Sequence, residues 1–214
     1  MKRIITTVLL SVSILSVDAQ VDKLAGPRVG VTMVQAGSLA SILRKDVSLF
    51  SDDIREEWTG STGKYGAVMS QYGWQWESRF LDGGDVVGLV EWIALVGGME
   101  KGMFLPSVSS MVGLRTASGF EFAAGPNLSL GGIAMVIGIG KTLKFGKLNV
   151  PVNIAYVPSM DKTYNHDAEY EWVEEYDGNG NYIGGGEIET SPAYSVIHPT
   201  GARISVMVGF NLGK

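Results

Sequence analysis

The feature that most constrains the fold is a strict alternation of apolar and polar residues in several separate segments. From Tyr72 to Phe80, one set of alternate positions holds Tyr72, Trp74, Trp76, Ser78 and Phe80, and the other holds Gly73, Gln75, Glu77 and Arg79. A period of two is that of a β-strand, whose successive side chains point to opposite faces, and it does not fit an α-helix. The segment 204–212 alternates in the same way and is predicted to be the last strand.

Six further segments are predicted as strands: 28–34, 86–96, 104–115, 120–130, 133–145 and 148–156. Short glycine-containing stretches at 82–85, 117–119, 131–132 and 146–147 separate several of them, and such stretches favour tight hairpin turns. Consecutive strands therefore pair as hairpins. The predicted fold is all-β, an up-and-down antiparallel β-barrel of eight transmembrane strands, with two long loops, 36–65 and 159–200, on one side.

The first residues have the pattern of an export signal. Lys2 and Arg3 precede an apolar run from 4 to 15, and Val17-Asp18-Ala19 follows as a small-residue cleavage pattern. We expect residues 1–19 to be a signal peptide and 20–214 to form one barrel domain. The chain has no cysteine, so the exported protein has neither a disulfide framework nor a lipid attached through an N-terminal cysteine.

Charge and hydropathy narrow the possible partners. The formal net charge of −5 argues against a nucleic acid as partner. After the export signal, no uninterrupted apolar stretch reaches the length of about 18–20 residues that a membrane helix requires. If the exported protein spans a membrane, it does so as a closed barrel.

These features together resemble a known family. The export signal, the segment Tyr-Gly-Trp-Gln-Trp-Glu-Ser-Arg-Phe at 72–80 and the terminal Ile-Ser-Val-Met-Val-Gly-Phe-Asn-Leu at 204–212 look like those of the small eight-stranded outer-membrane barrel proteins. Family members usually end in an aromatic residue, whereas here Phe210 is followed by four more residues. The resemblance implies a span across the outer membrane of a Gram-negative bacterium, in contact with lipid, with a structural, adhesive or envelope-integrity role. We also expect a monomer.

The polar positions of the predicted strands define a first candidate site. If these positions face the lumen, they carry charges of both signs, at Arg28, Glu77, Arg79, Glu91, Arg115, Glu121 and Arg203. An eight-stranded barrel is only wide enough for side chains to fill it, so buried charges there need partners. We predict a lumen closed by Arg/Glu pairs, with hydrogen bonds to Gln75 and Asn153, and no open pore. The alternative is that some of these charges lie in water at the rims, where pairing contributes little.

The second long loop is a candidate recognition surface. Between 159 and 200 the chain holds nine carboxylates, interleaved with aromatic residues that include Tyr170, Trp172, Tyr176 and Tyr182. Residues 177–181 only superficially resemble a calcium loop, because the expected glycine and the twelfth-position glutamate are missing. We predict a hairpin with strand 170–176, a turn at 177–181 and a return from 182, and an extracellular partner bound through the loops. A solvated acidic loop without a partner is the alternative.

Motifs for catalysis are weak in this chain. No phosphate loop, metal-ligand spacing or nucleophile elbow is present, so we expect no enzyme activity, catalytic residue, cofactor or metal. A lipid-modifying enzyme using Ser195, His198 and Glu189 is the least favoured reading. The main alternative to the membrane barrel is an exported soluble barrel that binds an apolar small molecule. That alternative requires the apolar faces of the strands to point inward.

Overall fold

The structure, a computed structural model, describes residues 25–46 and 63–212, and the predicted signal peptide lies outside them. It is nearly all-β, and eight antiparallel strands close into a barrel in up-and-down order, as predicted. The first seven are β1 (Gly26–Val34), β2 (Ala67–Asp82), β3 (Val86–Gly97), β4 (Leu105–Thr116), β5 (Phe120–Ser129), β6 (Gly132–Phe145) and β7 (Leu148–Val157). Strands β8 to β11 form a hairpin described below, and the eighth barrel strand has two pieces, β12 (Arg203–Gly209) and β13 (Asn211–Leu212). Among the described residues, no helix is long and apolar enough to cross a bilayer.

The last strand closes the barrel by pairing on both sides. Arg203 lies opposite Val34 of β1 and opposite Val157 of β7. The ladder between β7 and the last strand is interrupted at Pro151, which has no N–H to donate, and resumes in the same register where Asn211 lies opposite Asn149. In these registers Pro151 of β7 falls opposite Gly209 and Pro27 of β1 falls opposite Phe210. Two prolines without an N–H therefore border the point at which the eighth strand is divided.

A short helix covers one mouth of the barrel. Helix α1 (Ser38–Arg44) follows β1 in the first long loop. Its Leu39, Ile42 and Leu43 have the spacing of an amphipathic helical turn. Leu39 and Leu43 are buried against inward-facing side chains at the strand ends, among them Val34, Met69 and Leu105. Residues 47–62 of the same loop lie outside the described part of the chain.

The second long loop is an extended hairpin. Strands β8 (Asp161–His166) and β11 (Tyr194–Pro199) pair next to the barrel, and β9 (Glu169–Tyr176) and β10 (Tyr182–Ser191) pair beyond them. The predicted turn at 177–181 and the strands beside it are present, and β8 and β11 are additional. We call this hairpin, residues 161–199, the arm. It follows β7 and precedes β12 along the chain, and about 50 Å of strand path leads to its tip at about 3.3 Å per residue.

The base of the arm is attached to the barrel mouth. The Thr200 N–H donates to the carbonyl of Met160, at 2.8 Å, and the Leu39 N–H donates to the Thr200 carbonyl, at 3.3 Å. Gly201 has a φ of +87°, and a Cβ there would lie 2.5 Å from the carbonyl oxygen of Gln35. Glycine is therefore required where the arm enters β12.

Candidate functional site

The two faces of the barrel wall differ sharply in chemistry. Outward positions on every strand are exposed and mostly apolar, as in Val31 of β1, Trp74 of β2 and Ile137 of β6. Inward positions carry buried charged and amide side chains, such as Arg28 and Glu91, which are 3% and 2% exposed. This arrangement is the reverse of that in a water-soluble barrel, in which the apolar side chains fill the interior.

A guanidinium lies at the centre of the buried charges. Arg115 on β4 donates from Nη1 and Nη2 to the two carboxylate oxygens of Glu77 on β2, at 2.7 and 2.6 Å. Its Nε donates to Glu121 on β5, at 2.7 Å, and Nη2 contacts the same carboxylate. Its Nη2 also lies 3.8 Å from a carboxylate oxygen of Glu91 on β3. Arg115 therefore neutralises charges from both sides of its own strand.

Amides extend this contact network across the barrel. Gln75 accepts a hydrogen bond from Arg28 Nε, at 2.8 Å, and donates one to Glu91, at 2.6 Å. Asn153 on β7 donates to Glu121, at 3.2 Å. The contacts thus run from β1 to β7 without a break in polar partners. We call this set the lumen network, and its members are Arg28, Gln75, Glu77, Glu91, Arg115, Glu121 and Asn153.

The three glutamates of the lumen network are close enough to share one cation. Carboxylate oxygens of Glu77, Glu91 and Glu121 all lie within 4.8 Å of one another. The guanidinium of Arg115 already contacts these carboxylates, and Arg28 is linked to Glu91 through Gln75. The buried carboxylates of these three glutamates need a nearby positive charge, and arginine side chains supply it.

Two predicted members of the site lie at its margins. Arg79 is half-buried, with Nε 3.8 Å from Glu77, and it adjoins a bulge in the pairing of β2 with β3. Arg203 lies nearer the mouth that carries α1, where it donates to Ser129 and Asn127 at 3.1 and 3.2 Å. The structure therefore brings five of the seven predicted charges into one network and places these two beside it.

Between the lumen network and helix α1 lies a cavity of about 80 Å³. Its wall is mixed, with polar side chains such as Gln71, Asn127 and Ser205 and apolar ones such as Met111 and Val157. A water molecule needs about 10–15 Å³ of such space, so the cavity accommodates several.

Some polar residues of the lumen do not appear among the sequence-predicted site residues. Thr32 bridges Gln71 and Ser205, at 2.5 and 2.7 Å, and thereby links β1 to both neighbouring strands. Gln71 lies upstream of the predicted strand 72–80, and the alternation that places Gln75 inward also places Gln71 inward once the strand is extended. Thr32 lies at an alternate position of β1 with Arg28. Extending the period of two was therefore sufficient to find both.

The chain matches no protein-family model, no curated protein and no solved structure.

The arm contains the four aromatic residues predicted for recognition, and its register places them together. In an antiparallel pair, residues directly opposite each other lie on the same face. Tyr176 lies opposite Tyr182, so both are on the face that alternate positions of β9 assign to Tyr170 and Trp172. The rings of Tyr176 and Tyr182 meet edge to face, with centroids 5.9 Å apart.

The least favoured enzymatic site is not assembled. Ser195 and His198 are three residues apart on β11, so their side chains point to opposite faces. The Ser195 hydroxyl donates to Asn165, at 2.8 Å, and His198 is buried near the ring of Tyr164. The absence of enzyme activity remains a prediction.

In the turn at the arm tip, the side chain of Asp177 accepts hydrogen bonds from the backbone. The Asp177 carboxylate accepts hydrogen bonds from the N–H groups of Asn179 and Asn181, at 2.9 and 2.8 Å, and from the Asn181 side-chain amide, at 3.0 Å. These bonds stabilise the turn and occupy the carboxylate that a calcium loop would direct at its ion.

Proposed function

We propose that this protein is a monomeric outer-membrane β-barrel of a Gram-negative bacterium, with a structural or adhesive role. One observation carries the proposal: apolar side chains cover the outside of all eight strands, while the charged groups are buried inside. Lipid is the solvent that favours such an arrangement. The barrel strands have 9 to 16 residues where they are continuous, and a tilted transmembrane strand needs about 9–11.

Aromatic residues near the strand ends support the same proposal. Phe80, Phe120 and Phe145 are exposed beside the short turns, and Phe104 and Tyr156 are exposed near the opposite mouth. Transmembrane barrels carry aromatic girdles at the two membrane interfaces. The outward Trp76 and Trp92 lie directly opposite each other between these rims.

The proposed orientation places the short turns in the periplasm and the arm outside the cell. This follows the usual asymmetry of bacterial outer-membrane barrels, which have short periplasmic turns and longer extracellular loops. Both long connections and helix α1 lie at one end of this barrel, which supports the assignment.

We also propose that the barrel has no open pore. The lumen network crosses the interior and α1 covers one mouth, and a barrel of eight strands is filled by side chains in general. The soluble alternative is not supported, because a barrel that binds an apolar ligand requires its apolar faces inward and here they point outward.

The first test is separation of inner and outer membranes, followed by detergent gels of boiled and unboiled samples. The proposal expects the protein in the outer-membrane fraction, with a band whose mobility changes on boiling because the detergent-resistant barrel unfolds. A soluble protein whose band does not shift would overturn it.

Orientation can be tested with single cysteines, because the chain contains none. Gly178→Cys places a thiol at the arm tip, and Ser118→Cys places one in a short turn at the other end. On intact cells, a membrane-impermeant maleimide is expected to label the first variant only, whereas both react after the outer membrane is permeabilised. Labelling of only the short turn on intact cells would reverse the orientation.

A further inference from the structure

The outer half of the arm has two faces of different composition. One face, which we call the front face, carries Tyr170, Trp172, Glu174, Tyr176, Tyr182, Glu187 and Glu189. The other, the back face, carries Glu169, Glu171, Val173, Glu175 and Ile188. Both assignments follow from the register of β9 with β10 and the alternation along each strand. The aromatic residues are confined to the front face, while the carboxylates are divided equally.

Aromatic rings and carboxylates lie side by side on the front face. Glu187 is directly opposite Trp172, and Glu189 is directly opposite Tyr170. Opposite residues of an antiparallel pair have Cβ atoms about 5 Å apart. A Cβ at Gly185 would lie 2.8 Å from the ring of Trp172, so glycine at this position allows the indole to lie over the backbone.

The front face is exposed in spite of its aromatic content. Tyr170, Trp172, Tyr176 and Tyr182 are 58%, 57%, 55% and 56% exposed. Contiguous exposed aromatic surface marks an interaction site more often than single exposed apolar residues do. Within the described residues the arm is a sheet only two strands wide, so each strand has an outer edge with which another extended chain can pair.

Charge determines which occupant fits this face. Residues 161–199 contain nine carboxylates and one basic residue, Lys162. A second arm would bring the same charge against the first, and anionic lipid would be repelled for the same reason. A cationic occupant is attracted by the carboxylates, and its charges can also lie over the aromatic rings.

We propose that the front face binds a basic, extended polypeptide segment of another protein. Arginine or lysine side chains of the segment lie over Trp172 and Tyr170 and pair with Glu187 and Glu189. Residues i and i+2 of a strand are about 6.6 Å apart on one face, so a segment with a basic residue at every second position matches the spacing of Tyr170 and Trp172. The inference rests on the proposed function in one respect, since the arm must be accessible from outside the cell.

The test uses the full-length protein in nanodiscs of phosphatidylcholine, a lipid without net charge. Fluorescein-labelled peptides with the sequences (Arg-Ser)₅ and (Glu-Ser)₅ are titrated by fluorescence anisotropy. We expect binding of the arginine peptide alone, weaker at 0.5 M than at 0.05 M salt because exposed ion pairs are screened. No binding of the arginine peptide at low salt would overturn the inference.

Matched variants separate a specific face from general attraction to an acidic arm. Glu174→Gln/Glu187→Gln/Glu189→Gln removes three charges from the front face, and Glu169→Gln/Glu171→Gln/Glu175→Gln removes three from the back face. The front variant is expected to weaken binding by about tenfold, because the ion pairs of Glu187 and Glu189 and the neighbouring charge of Glu174 are lost. The back variant is expected to change it by less than about threefold through the remaining long-range attraction. An equal loss in both variants would contradict a specific front face.

A further variant tests the aromatic part of the face. Trp172→Leu keeps an apolar side chain and removes the ring, and binding of the arginine peptide is expected to weaken by about threefold or more. Unchanged affinity would exclude the role of the ring.

If Gly178→Cys is labelled on intact cells but the arginine peptide does not bind, this inference fails and the proposed function stands. If the protein is absent from the outer membrane, the proposed function fails first.

Discussion

Arg115 is the residue with the most ion-pair partners in the lumen. It contacts Glu77 and Glu121 directly and lies near Glu91. Removal of one partner from a buried ion pair is costly, because the remaining charge loses its compensation without regaining water. The same side chain reaches from β4 to β2, so it also links strands that do not pair with each other.

Replacement of this guanidinium is expected to destabilise the barrel. Arg115→Leu should lower the free energy of unfolding by about 3–5 kcal/mol, because it leaves Glu121 without an arginine and Glu77 with only Arg79, at 3.8 Å. Urea-induced unfolding in phospholipid vesicles measures the effect. Lys144→Leu, at an exposed position near the end of β6, is the control and should change stability by no more than about 0.5 kcal/mol. Equal stability of the Arg115→Leu variant and the native chain would contradict the role of the network.

Asp177 makes the arm tip sensitive to acid. The backbone N–H of Asn181, followed by its side-chain amide, holds the pKa of the Asp177 carboxyl below its ordinary value of 3.8. A lowered pKa in the folded turn means that the stabilisation is present above pH 3.8 and is lost as the pH falls through the lower, folded value. Amide NMR signals of Asn179 and Asn181 are expected to shift in that acidic range. Asp177→Asn should abolish this titration, and a persistent shift would assign it to another group.

Helix α1 is too short to be stable by itself and depends on its contacts with the barrel. A helix of seven residues is marginal in water, so burial of its apolar side is what stabilises it. Leu43 is 1% exposed and packs in the cluster at the barrel mouth. The apolar spacing predicts the helix, but the inward Val34 and Met69 that receive it lie on other elements.

Truncation of one helix residue tests this dependence. Leu43→Ala is expected to cost about 2–5 kcal/mol, since it removes buried methyl groups and leaves a cavity at the mouth. Arg44→Ala, at the exposed neighbouring position, is the control. Its exposed contacts with Asp46 and Tyr65 contribute little, so the expected change is within about 1 kcal/mol. Hydrogen exchange of the helix amides in detergent measures local opening. Equal protection in both variants would show that the helix does not depend on this contact.

Strand elements follow from the sequence more directly than their connections do. A period of two identifies each barrel strand to within a few residues, because outward-facing and lumen-facing positions must alternate. The arm has no such contrast, since most positions of β9 and β10 are exposed on both faces. Its central hairpin is predicted by the turn at 177–181. The pairing of β8 with β11 has no such turn signal, because these strands are paired only through being connected to β7 and β12.

At the scale of the whole molecule, the direction of side chains is the property that most affects function. Alternation predicts which residues share a face, but by itself it is compatible with either face pointing inward. Side-chain burial shows the direction, since Glu77 and Arg115 are buried inside the barrel and Trp76 is exposed outside it. The contacts of Arg203 with Asn127 and Ser129 could not be predicted, because they depend on the height at which strands meet across the lumen.

A charge on the outer face distinguishes lipid from water as the surrounding solvent. In a bilayer, Ile137→Arg is expected to cost about 2–4 kcal/mol, because its side chain lies mid-strand on the outer face. Leu143→Arg, nearer the short-turn end of β6, should cost only about 0–1 kcal/mol. Unfolding in vesicles measures both. Two small and equal effects would indicate a water-exposed outer face.

The continuity of the arm with β7 and β12 has a mechanical consequence. A force that pulls on the tip, away from the barrel, loads both strands along their own axes. Strand β7 is held by β6 along the whole register from Ile137 to Phe145, and β12 is held by β1 from Arg28 to Val34. These hydrogen bonds then resist the force together, in shear, instead of opening one after another as in a zipper. An arm built in this way passes an axial load into the barrel wall without separating its strands one hydrogen bond at a time.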